Sequence, residues 1–453
     1  MPLGIAGICA AYARRLMPPD TSPAPRREAF AYWLKLGFIS FGGPAGQIAL
    51  MHEELVVRKR WISERRFLHA LNFCMLLPGP EAQQLATYLG WLMHRTRGGL
   101  VAGVFFVLPS FFVLTALSWV YMAWGQVPVV AGVFHGLKPA VTALVVQAGW
   151  RIGSRTLRNR WLWGIALAAW AALALLQLPF PLIIGGAALA GVAGQRLAPQ
   201  AFTRSSLHAE ADAPNTDALI GDDTPTPPHA RFAWPRFVRT ALVGLGLWGG
   251  GMGLLLAGLG ARAVLTQMAW FFTKAALLTF GGAYAVLPYV FQGAVEQQHW
   301  LSGAQMMDGL ALGETTPGPL IMVVAFVGFV GGWTQGVSAA APWLGGVTAA
   351  ALVCFFTFLP SILFVLLGAP FIESTRDQPR LAAPLAAITA AVVGVIANLA
   401  LTFAWQVFRP AGAIDGPAVL IGALALLALL RWRLGVIPVL LASGAAGALL
   451  ALA

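Results

Sequence analysis

The chain has 453 residues, of which 58% are hydrophobic and 10% are charged, and its net charge is +12. A water-soluble protein of this length needs far more charge to cover its surface, so the composition excludes a soluble globular class and predicts an all-α polytopic membrane protein. The Lys and Arg residues lie mostly in short connections between apolar runs, a distribution that orients membrane proteins. We therefore exclude nucleic-acid binding as the explanation of the charge.

In chain order, residues 1–29 are predicted to be a cytoplasmic N-terminal tail. Two apolar stretches follow, at 30–57 and 67–94, and each is interrupted by helix breakers: Phe41-Gly42-Gly43-Pro44 and Leu77-Pro78-Gly79-Pro80. About 10–14 residues on either side of a break form 15–20 Å of helix, which reaches the middle of a bilayer core of about 30 Å without crossing it. We therefore predict re-entrant hairpins. Kinked helices that cross fully are the alternative.

Further spans complete a first domain of residues 30–197, and they are predicted at 99–124, 130–150, 161–177 and 181–195. Residues 198–236 are rich in Pro, Asp, Thr and Ala, and are predicted to be a disordered cytoplasmic linker. One inverting transmembrane segment then occupies residues 237–266. The second domain, 267–453, is predicted to have hairpins at 268–295 and 303–333 and spans at 343–367, 385–408, 417–430 and 435–453.

The two domains repeat one pattern in a constant register. Phe280-Gly281-Gly282 follows Phe41-Gly42-Gly43 by 239 residues, and Pro317-Gly318-Pro319 follows Pro78-Gly79-Pro80 by the same offset. Further pairs at this offset are Lys35 with Lys274, Trp61 with Trp300 and Ser63 with Ser302. We interpret the chain as two homologous halves. Because a single crossing separates them, we predict an inverted-topology repeat with a cytoplasmic N-terminus and a C-terminus outside.

A central site is predicted where the broken helices meet, because non-helical backbone within a membrane is tolerated only where protein or water satisfies it. Each half-helix start presents unpaired N–H groups and the positive end of a dipole, which favours an anion. Breaks that merely kink the helices are the competing interpretation. The predicted substrate-binding residues are Lys35, Gly42, Gly43, Pro44, Pro78, Gly79, Pro80, Gln83, Gln84, Lys274, Gly281, Gly282, Thr315, Thr316, Pro317, Gly318 and Pro319.

Four charged residues in these elements each have two interpretations. Lys35 and Lys274 either attract the anion or extend to the membrane surface as ordinary interfacial lysines. Glu81 and Glu314 either carry a coupled proton or cap a half-helix. We predict both glutamates as coupling residues, with capping the stronger alternative at Glu81. The sequence contains no metal-binding, nucleophile or phosphate-loop motif, so we predict no metal, no cofactor and no enzymatic activity.

Three strings of this sequence resemble the chromate ion transporter family in its long, two-domain form. They are Phe41-Gly42-Gly43-Pro44, the stretch from Leu76 to Tyr88 and the stretch from Asp308 to Met322. Trp300-Leu301-Ser302 and the two Leu-Pro-Ser motifs at 108–110 and 359–361 also fit. The resemblance covers nearly everything except the tail and the linker. One mild departure is Gly313, where the family more usually has alanine.

The resemblance implies a secondary transporter in the cell (inner) membrane that expels chromate from the cytoplasm. It implies no cofactor, and the driving force is either the proton-motive force or anion exchange. Sulfate or another oxyanion is the alternative substrate, and an intramembrane enzyme is the alternative class. The expected partners are therefore chromate or sulfate and the lipid bilayer, and a homodimer is left open.

Overall fold

The structure, a computed structural model, describes residues 25–452 except positions 42, 126, 198–217, 222–223, 225–226, 281–282 and 375–381. Within these residues it contains α-helices, short π and 3-10 segments, and no β-strand. The all-α class predicted from the composition is confirmed. Most of the predicted N-terminal tail and the first part of the predicted linker lie outside the described residues.

Sixteen α-helices are described. In the first half these are α1 (Arg26–Ile39), α2 (Gly43–His52), α3 (Glu64–Cys74), α4 (Glu81–Trp124), α5 (Pro128–Thr156), α6 (Arg160–Ala174) and α7 (Phe180–Leu197). The halves are connected by α8 (Trp234–Leu259). The second half contains α9 (Val264–Leu278), α10 (Ala283–Phe291), α11 (Gly303–Thr315), α12 (Val323–Thr334), α13 (Pro342–Ser374), α14 (Ala382–Phe408), α15 (Gly416–Leu430) and α16 (Val436–Leu452).

Local backbone irregularities recur at equal positions in the two halves. A π-helical segment follows α2 at Glu53–Arg58 and follows α10 at Gln292–Gln297. Two residues beyond each segment a non-glycine residue has a positive φ, 49° at Arg60 and 51° at His299. π-helices are rare and positive φ is unusual for such residues, so their recurrence at the 239-residue offset indicates two copies of one backbone design.

In three of the four broken elements the end of the element lies near its start. Glu28 near the start of α1 pairs with Lys59 beyond α2, and the Tyr32 and Trp61 rings lie 6.4 Å apart. In the second half Trp300 lies 5.5 Å from the Phe271 ring of α9. The hydroxyl of Thr334, at the end of α12, donates to the Trp300 carbonyl at 3.1 Å. These contacts favour hairpins over kinked helices that cross.

Fewer helices meet the length of a bilayer crossing than the nine predicted spans. Five described helices are long and apolar enough to cross, namely α4, α5, α8, α13 and α14. Helix α4 contains a break at His94 and Arg95, where the backbone is non-helical, so its spanning part begins after the predicted hairpin. The other four predicted spans correspond to α6, α7, α15 and α16, which have 15, 18, 15 and 17 residues. At 1.5 Å per residue these helices are about 22–27 Å long.

The end of the predicted linker packs against the first half. The N–H groups of Leu219 and Ile220 donate to the carbonyls of Arg60 and Trp61 at 2.9 and 3.0 Å. Nε2 of His229 lies 3.1 Å from the Trp91 carbonyl, and Ala230 is fully buried. The predicted disorder therefore does not extend to these residues. Their backbone groups form hydrogen bonds with the first half, and Ala230 is buried against it.

Helix α8 and helix α9 run side by side in opposite directions. The Trp248 indole donates to the Thr273 hydroxyl at 3.1 Å, and the Thr266 hydroxyl donates to the Leu255 carbonyl at 3.5 Å. The inverting segment was predicted at residues 237–266, and the helix observed there runs from Trp234 to Leu259. Its 26 residues correspond to about 39 Å of helix, longer than the hydrocarbon core.

Candidate functional site at the helix breaks

The first half-helix of each repeat ends at a hydroxyl residue, Ser40 in the first half and Thr279 in the second. The Ser40 hydroxyl donates to the Leu36 carbonyl at 2.5 Å, and the Thr279 hydroxyl donates to the Ala275 carbonyl at 2.6 Å. The chain then leaves the helix with similar angles, φ −78° and ψ 72° at Ser40 and φ −79° and ψ 88° at Thr279. These angles form inverse γ-turns, which leave both carbonyls available to partners outside the helix.

Each of these carbonyls is bound by the Pro-Gly-Pro loop of the opposite half. The Gly79 N–H donates to the Thr279 carbonyl at 2.7 Å, and the Gly318 N–H donates to the Ser40 carbonyl at 2.8 Å. Ser40 and Thr279 are equivalent positions, and so are Gly79 and Gly318. The two bonds are therefore one contact made twice with the halves exchanged, and the breaks of both halves lie together.

Only glycine fits the centre of each loop. Gly79 has φ +133° and Gly318 has φ +106°, a region that side chains disfavour. A Cβ at Gly79 would lie 2.6 Å from the Ser361 hydroxyl, and one at Gly318 would lie 2.6 Å from the Ser110 Cβ. Ser110 and Ser361 end the two Leu-Pro-Ser motifs, so each loop packs on the long helix of the other half.

Buried amides fix the loops in place. Gln47 of α2 donates from Nε2 to the Gly318 carbonyl at 2.7 Å, and Gln84 donates from Nε2 to the Pro78 carbonyl at 2.8 Å. The Ser361 hydroxyl donates to Oε1 of Gln83 at 2.9 Å. All three glutamines are fully buried. A hydrogen-bonded network of this kind holds a unique backbone geometry at the breaks.

Some polar atoms at the breaks remain without a partner among the described residues. They are Oε1 of Gln47, Oε1 of Gln84 and the hydroxyl of Ser110. Each unsatisfied buried group costs about 1–3 kcal/mol, so native proteins rarely retain several together without water or a ligand. The hydroxyl can donate to an anion oxygen, whereas the two amide oxygens accept from water or from a protonated oxyanion.

The structure brings together many, but not all, of the predicted substrate-binding residues. Buried where the two halves meet are Gly79, Pro80, Gln83, Gln84, Thr316, Pro317, Gly318 and Pro319, and half-buried beside them are Gly43, Pro44, Pro78 and Thr315. Gly42, Gly281 and Gly282 lie outside the described residues. Lys35 and Lys274 are exposed on the outer faces of α1 and α9, and Nζ of Lys274 lies 5.9 Å from the Trp270 ring.

The two predicted coupling residues occupy different surroundings. Glu314 accepts a hydrogen bond from the Tyr284 hydroxyl, so the last turn of α11 is joined to the first turn of α10. Glu81 is the first residue of α4, directly after the Pro78-Gly79-Pro80 loop, and is half-buried. A carboxylate at this position stabilises the positive end of the helix dipole, in keeping with the capping interpretation.

Several residues at the breaks were not among the predicted site residues. Ser40 and Thr279 could have been found, because a hydroxyl residue precedes Phe-Gly-Gly in both halves. The serines of the Leu-Pro-Ser motifs fit the family resemblance but carried no predicted role. Gln47 had no such signal, since its repeat equivalent is Val286.

A buried charged cluster also joins the halves at some distance along the chain from the breaks. Asp308 of α11 is 3% exposed, and its Oδ2 accepts from the Tyr121 hydroxyl at 2.9 Å. Nζ of Lys138 lies 3.5 Å from the same oxygen. Tyr121 and Lys138 belong to the first half and Asp308 to the second. Ionisable residues within a membrane domain are costly and therefore mark functional sites by default.

Comparisons with known proteins agree with this architecture. The model of the family described as "Chromate transporter" matches residues 27–192 and again residues 266–448, which supports two homologous halves. A chromate transport protein of Pseudomonas aeruginosa is 33% identical over 433 residues, covering 95% of this chain and 92% of the relative. A chromate transport protein of Cupriavidus metallidurans is 28% identical, covering 94% and 96% of the two chains.

A probable chromate transport protein of Synechococcus elongatus is 28% identical and covers 90% of each chain. No solved structure matches this chain. In the described residues no group of three or more His, Cys, Asp and Glu side chains could hold a metal ion. Since the family model matches both halves and the relatives are similar over nearly their whole length, the chain is a membrane protein that belongs to the chromate transporter family.

Proposed function

We propose that this protein is a secondary transporter that exports chromate from the cytoplasm and thereby confers chromate resistance. The observation that carries the proposal is the exchanged pair of hydrogen bonds, Gly79 to Thr279 and Gly318 to Ser40, which brings the breaks of both halves to one place. The relatives named as chromate transport proteins support chromate as the substrate.

The substrate binds where half-helix starts surround buried polar groups. The first N–H groups of α4, after Pro80, and of the 3-10 turn after Pro319 have no partner within their own helices. The Ser110 hydroxyl adds a second kind of donor, and the unpartnered Gln47 and Gln84 oxygens accept from water or from a hydrogenchromate hydroxyl. Such a site binds a tetrahedral oxyanion through neutral donors, so the substrate is held without a tight ion pair.

Transport requires that this site open to each side of the membrane in turn. His229 contacts the Trp91 carbonyl, and α8 begins five residues later at Trp234. The start of α8 therefore lies near Trp91 of the first half. Val264 follows the far end of α8, about 39 Å away by the length of the helix, and the second half begins there. This distance supports an inverted arrangement, in which the two hairpin pairs enter from opposite faces and exchange exposure of the shared site.

The energy source is the proton-motive force or exchange against another anion. Glu81 and Glu314 are the predicted proton carriers, and Asp308 is a third candidate because it is buried and contacts both a cation and a hydroxyl of the other half. Sulfate or another oxyanion is the competing substrate, since the donors at the breaks recognise a tetrahedral anion and not chromium itself. An intramembrane enzyme is the weaker alternative because the relatives are named as transport proteins.

Everted membrane vesicles test the proposal directly. Labelled chromate should accumulate in vesicles that contain the protein, and an imposed pH gradient should increase the rate if protons drive transport. A large excess of sulfate distinguishes the substrates, because a sulfate transporter would lose chromate uptake completely. Vesicles containing the Gly246→Val variant should accumulate chromate like those with the native protein, since Gly246 has open space around it on the exposed face of α8. This variant is the matched control for glycine substitutions at the proposed site. Absence of accumulation under every gradient would refute export.

A further inference from the structure

A basic cleft lies away from the helix breaks, between the end of the linker, the start of α8, the kink in α4 and the end of α13. The space inside it that can hold solvent is about 50 Å³, roughly the size of one phosphate group. It is bounded by Trp91 and Thr96 on the first half and by Leu366 and Pro370 on the second half, with the linker end between them. Since the halves and the linker all contribute, the cleft exists only in the folded chain.

Three arginines give this cleft a concentration of positive charge. Arg231, Arg236 and Arg239 line it, and Arg236 also donates to the Pro228 carbonyl at 2.8 Å. None of the three makes a salt bridge with a carboxylate of the described residues. His229 also lines the cleft, and the nearby Arg95 at the α4 kink helps to lower its pKa. Arginines that surround one cavity without a carboxylate partner among the described residues create an anion-binding field.

The walls of the cleft place it at the boundary between membrane and water. Aromatic residues line it or adjoin it, and the Phe232 and Phe371 rings lie 6.1 Å apart. Helix α8 continues from the cleft with exposed leucines and valines, including Leu242, Val243 and Leu245, which are 66%, 59% and 59% exposed. A surface this apolar faces lipid in a membrane protein, so the cleft opens beside the acyl chains.

We propose that this cleft binds the phosphate of an anionic glycerophospholipid. The arginine side chains would donate hydrogen bonds to the phosphate oxygens, because the planar guanidinium matches phosphate geometry. The acyl chains would lie against the apolar face of α8. The bound lipid would then connect the linker end to both halves at a point where the described protein alone leaves a cavity.

Native mass spectrometry of the purified protein tests the proposal with three added ligands: phosphatidylglycerol, phosphatidylcholine and inorganic phosphate. We expect one tightly bound phosphatidylglycerol, weak phosphatidylcholine binding and no displacement by millimolar phosphate. The triple variant Arg231→Gln, Arg236→Gln, Arg239→Gln should bind phosphatidylglycerol about 100-fold more weakly, since each arginine near a lipid surface contributes about fivefold. Arg231→Gln alone should lower the affinity about fivefold, and this milder change keeps the test valid if the triple variant folds poorly.

A second triple variant serves as the matched control for net charge: Arg155→Gln, Arg431→Gln, Arg433→Gln. These arginines are exposed and lie in the last turn of α5 or between α15 and α16, so their removal should leave the tight lipid in place. Equal lipid binding by the Arg231 single variant and the native protein would overturn the proposal. Displacement of the lipid by inorganic phosphate would also overturn it, because the cleft would then be a site for a soluble anion.

Discussion

The Gly79 N–H group donates a 2.7 Å hydrogen bond to the Thr279 carbonyl, and so connects the Pro-Gly-Pro loop of one half to the helix break of the other. The equivalent bond from Gly318 to Ser40 makes the same connection in reverse. Both bonds cross between the halves, so a movement of one half against the other acts on these contacts. The geometry couples the two hairpin pairs at the place where we propose that the substrate binds.

Replacement of either loop glycine should abolish transport without preventing membrane insertion. In Gly79→Val and Gly318→Val the added side chain would collide with Ser361 or Ser110, and the positive φ would be strained. Chromate uptake by everted vesicles and the amount of inserted protein measure the two effects separately. Gly246→Val is the control with equal added volume. Normal uptake in both loop variants would place the substrate elsewhere.

Loss of Lys138 should destabilise the protein more than loss of the whole buried pair. Lys138→Met leaves Asp308 as a buried carboxylate without its cation, which costs about 3 kcal/mol. The double variant Lys138→Met, Asp308→Leu removes both charges and should recover part of that loss. Thermal unfolding of the four proteins of this double-mutant cycle gives the coupling free energy. Additive effects would show that the pair does not interact across the halves.

The two exposed lysines should affect the capture of chromate in a salt-dependent way. Lys35→Ala and Lys274→Ala remove charges that lie on outer faces, so we expect a several-fold higher KM at low ionic strength and a smaller change at 0.5 M salt. Lys→Arg variants should behave like the native protein, because the charge is retained. A KM increase that persists at high salt would indicate direct contact with the substrate.

Equivalent positions of the two halves should be accessible from opposite faces of the membrane. Val57 and Glu296 are exposed, follow the same helix break in each half and are 239 residues apart. Single cysteines introduced there, after replacement of the native cysteines, should react with a membrane-impermeant maleimide from opposite sides. Labelling of both from the same side would refute the inverted repeat, although the two-copy organisation would stand.

Docking of the linker end should weaken at acidic pH. Burial lowers the pKa of His229 below its ordinary value, and the nearby Arg95 and Arg236 lower it further, although hydrogen bonds to the Trp91 and Leu92 carbonyls oppose this. Because the docked form favours the neutral ring, its contribution is present above the unfolded pKa of about 6.5 and is lost as pH falls through the lowered value. Hydrogen exchange of residues 227–233, corrected for the intrinsic pH effect, should be faster at pH 5 than at pH 7.5. His229→Gln should remove this dependence.

The amino-acid sequence alone determines the class, the two-copy organisation and the location of the breaks. Apolar runs identify membrane helices because of their composition, and Gly-Pro pairs interrupt helices through local backbone sterics that need no tertiary contact. The register of Phe-Gly-Gly and Pro-Gly-Pro is likewise readable, because both motifs recur at one offset. These properties depend on residues close together in the chain.

Only the tertiary structure decides which break meets which. Gly79 binds Thr279 and not its nearer counterpart Ser40, and the Leu-Pro-Ser serines face the loop of the opposite half. The lysine pair repeats in the sequence yet lies outside the breaks, because position on a helix face depends on what the helix packs against. The Asp308 and Lys138 pair joins residues 170 positions apart, and only the packing of α5 against α11 brings their charges together.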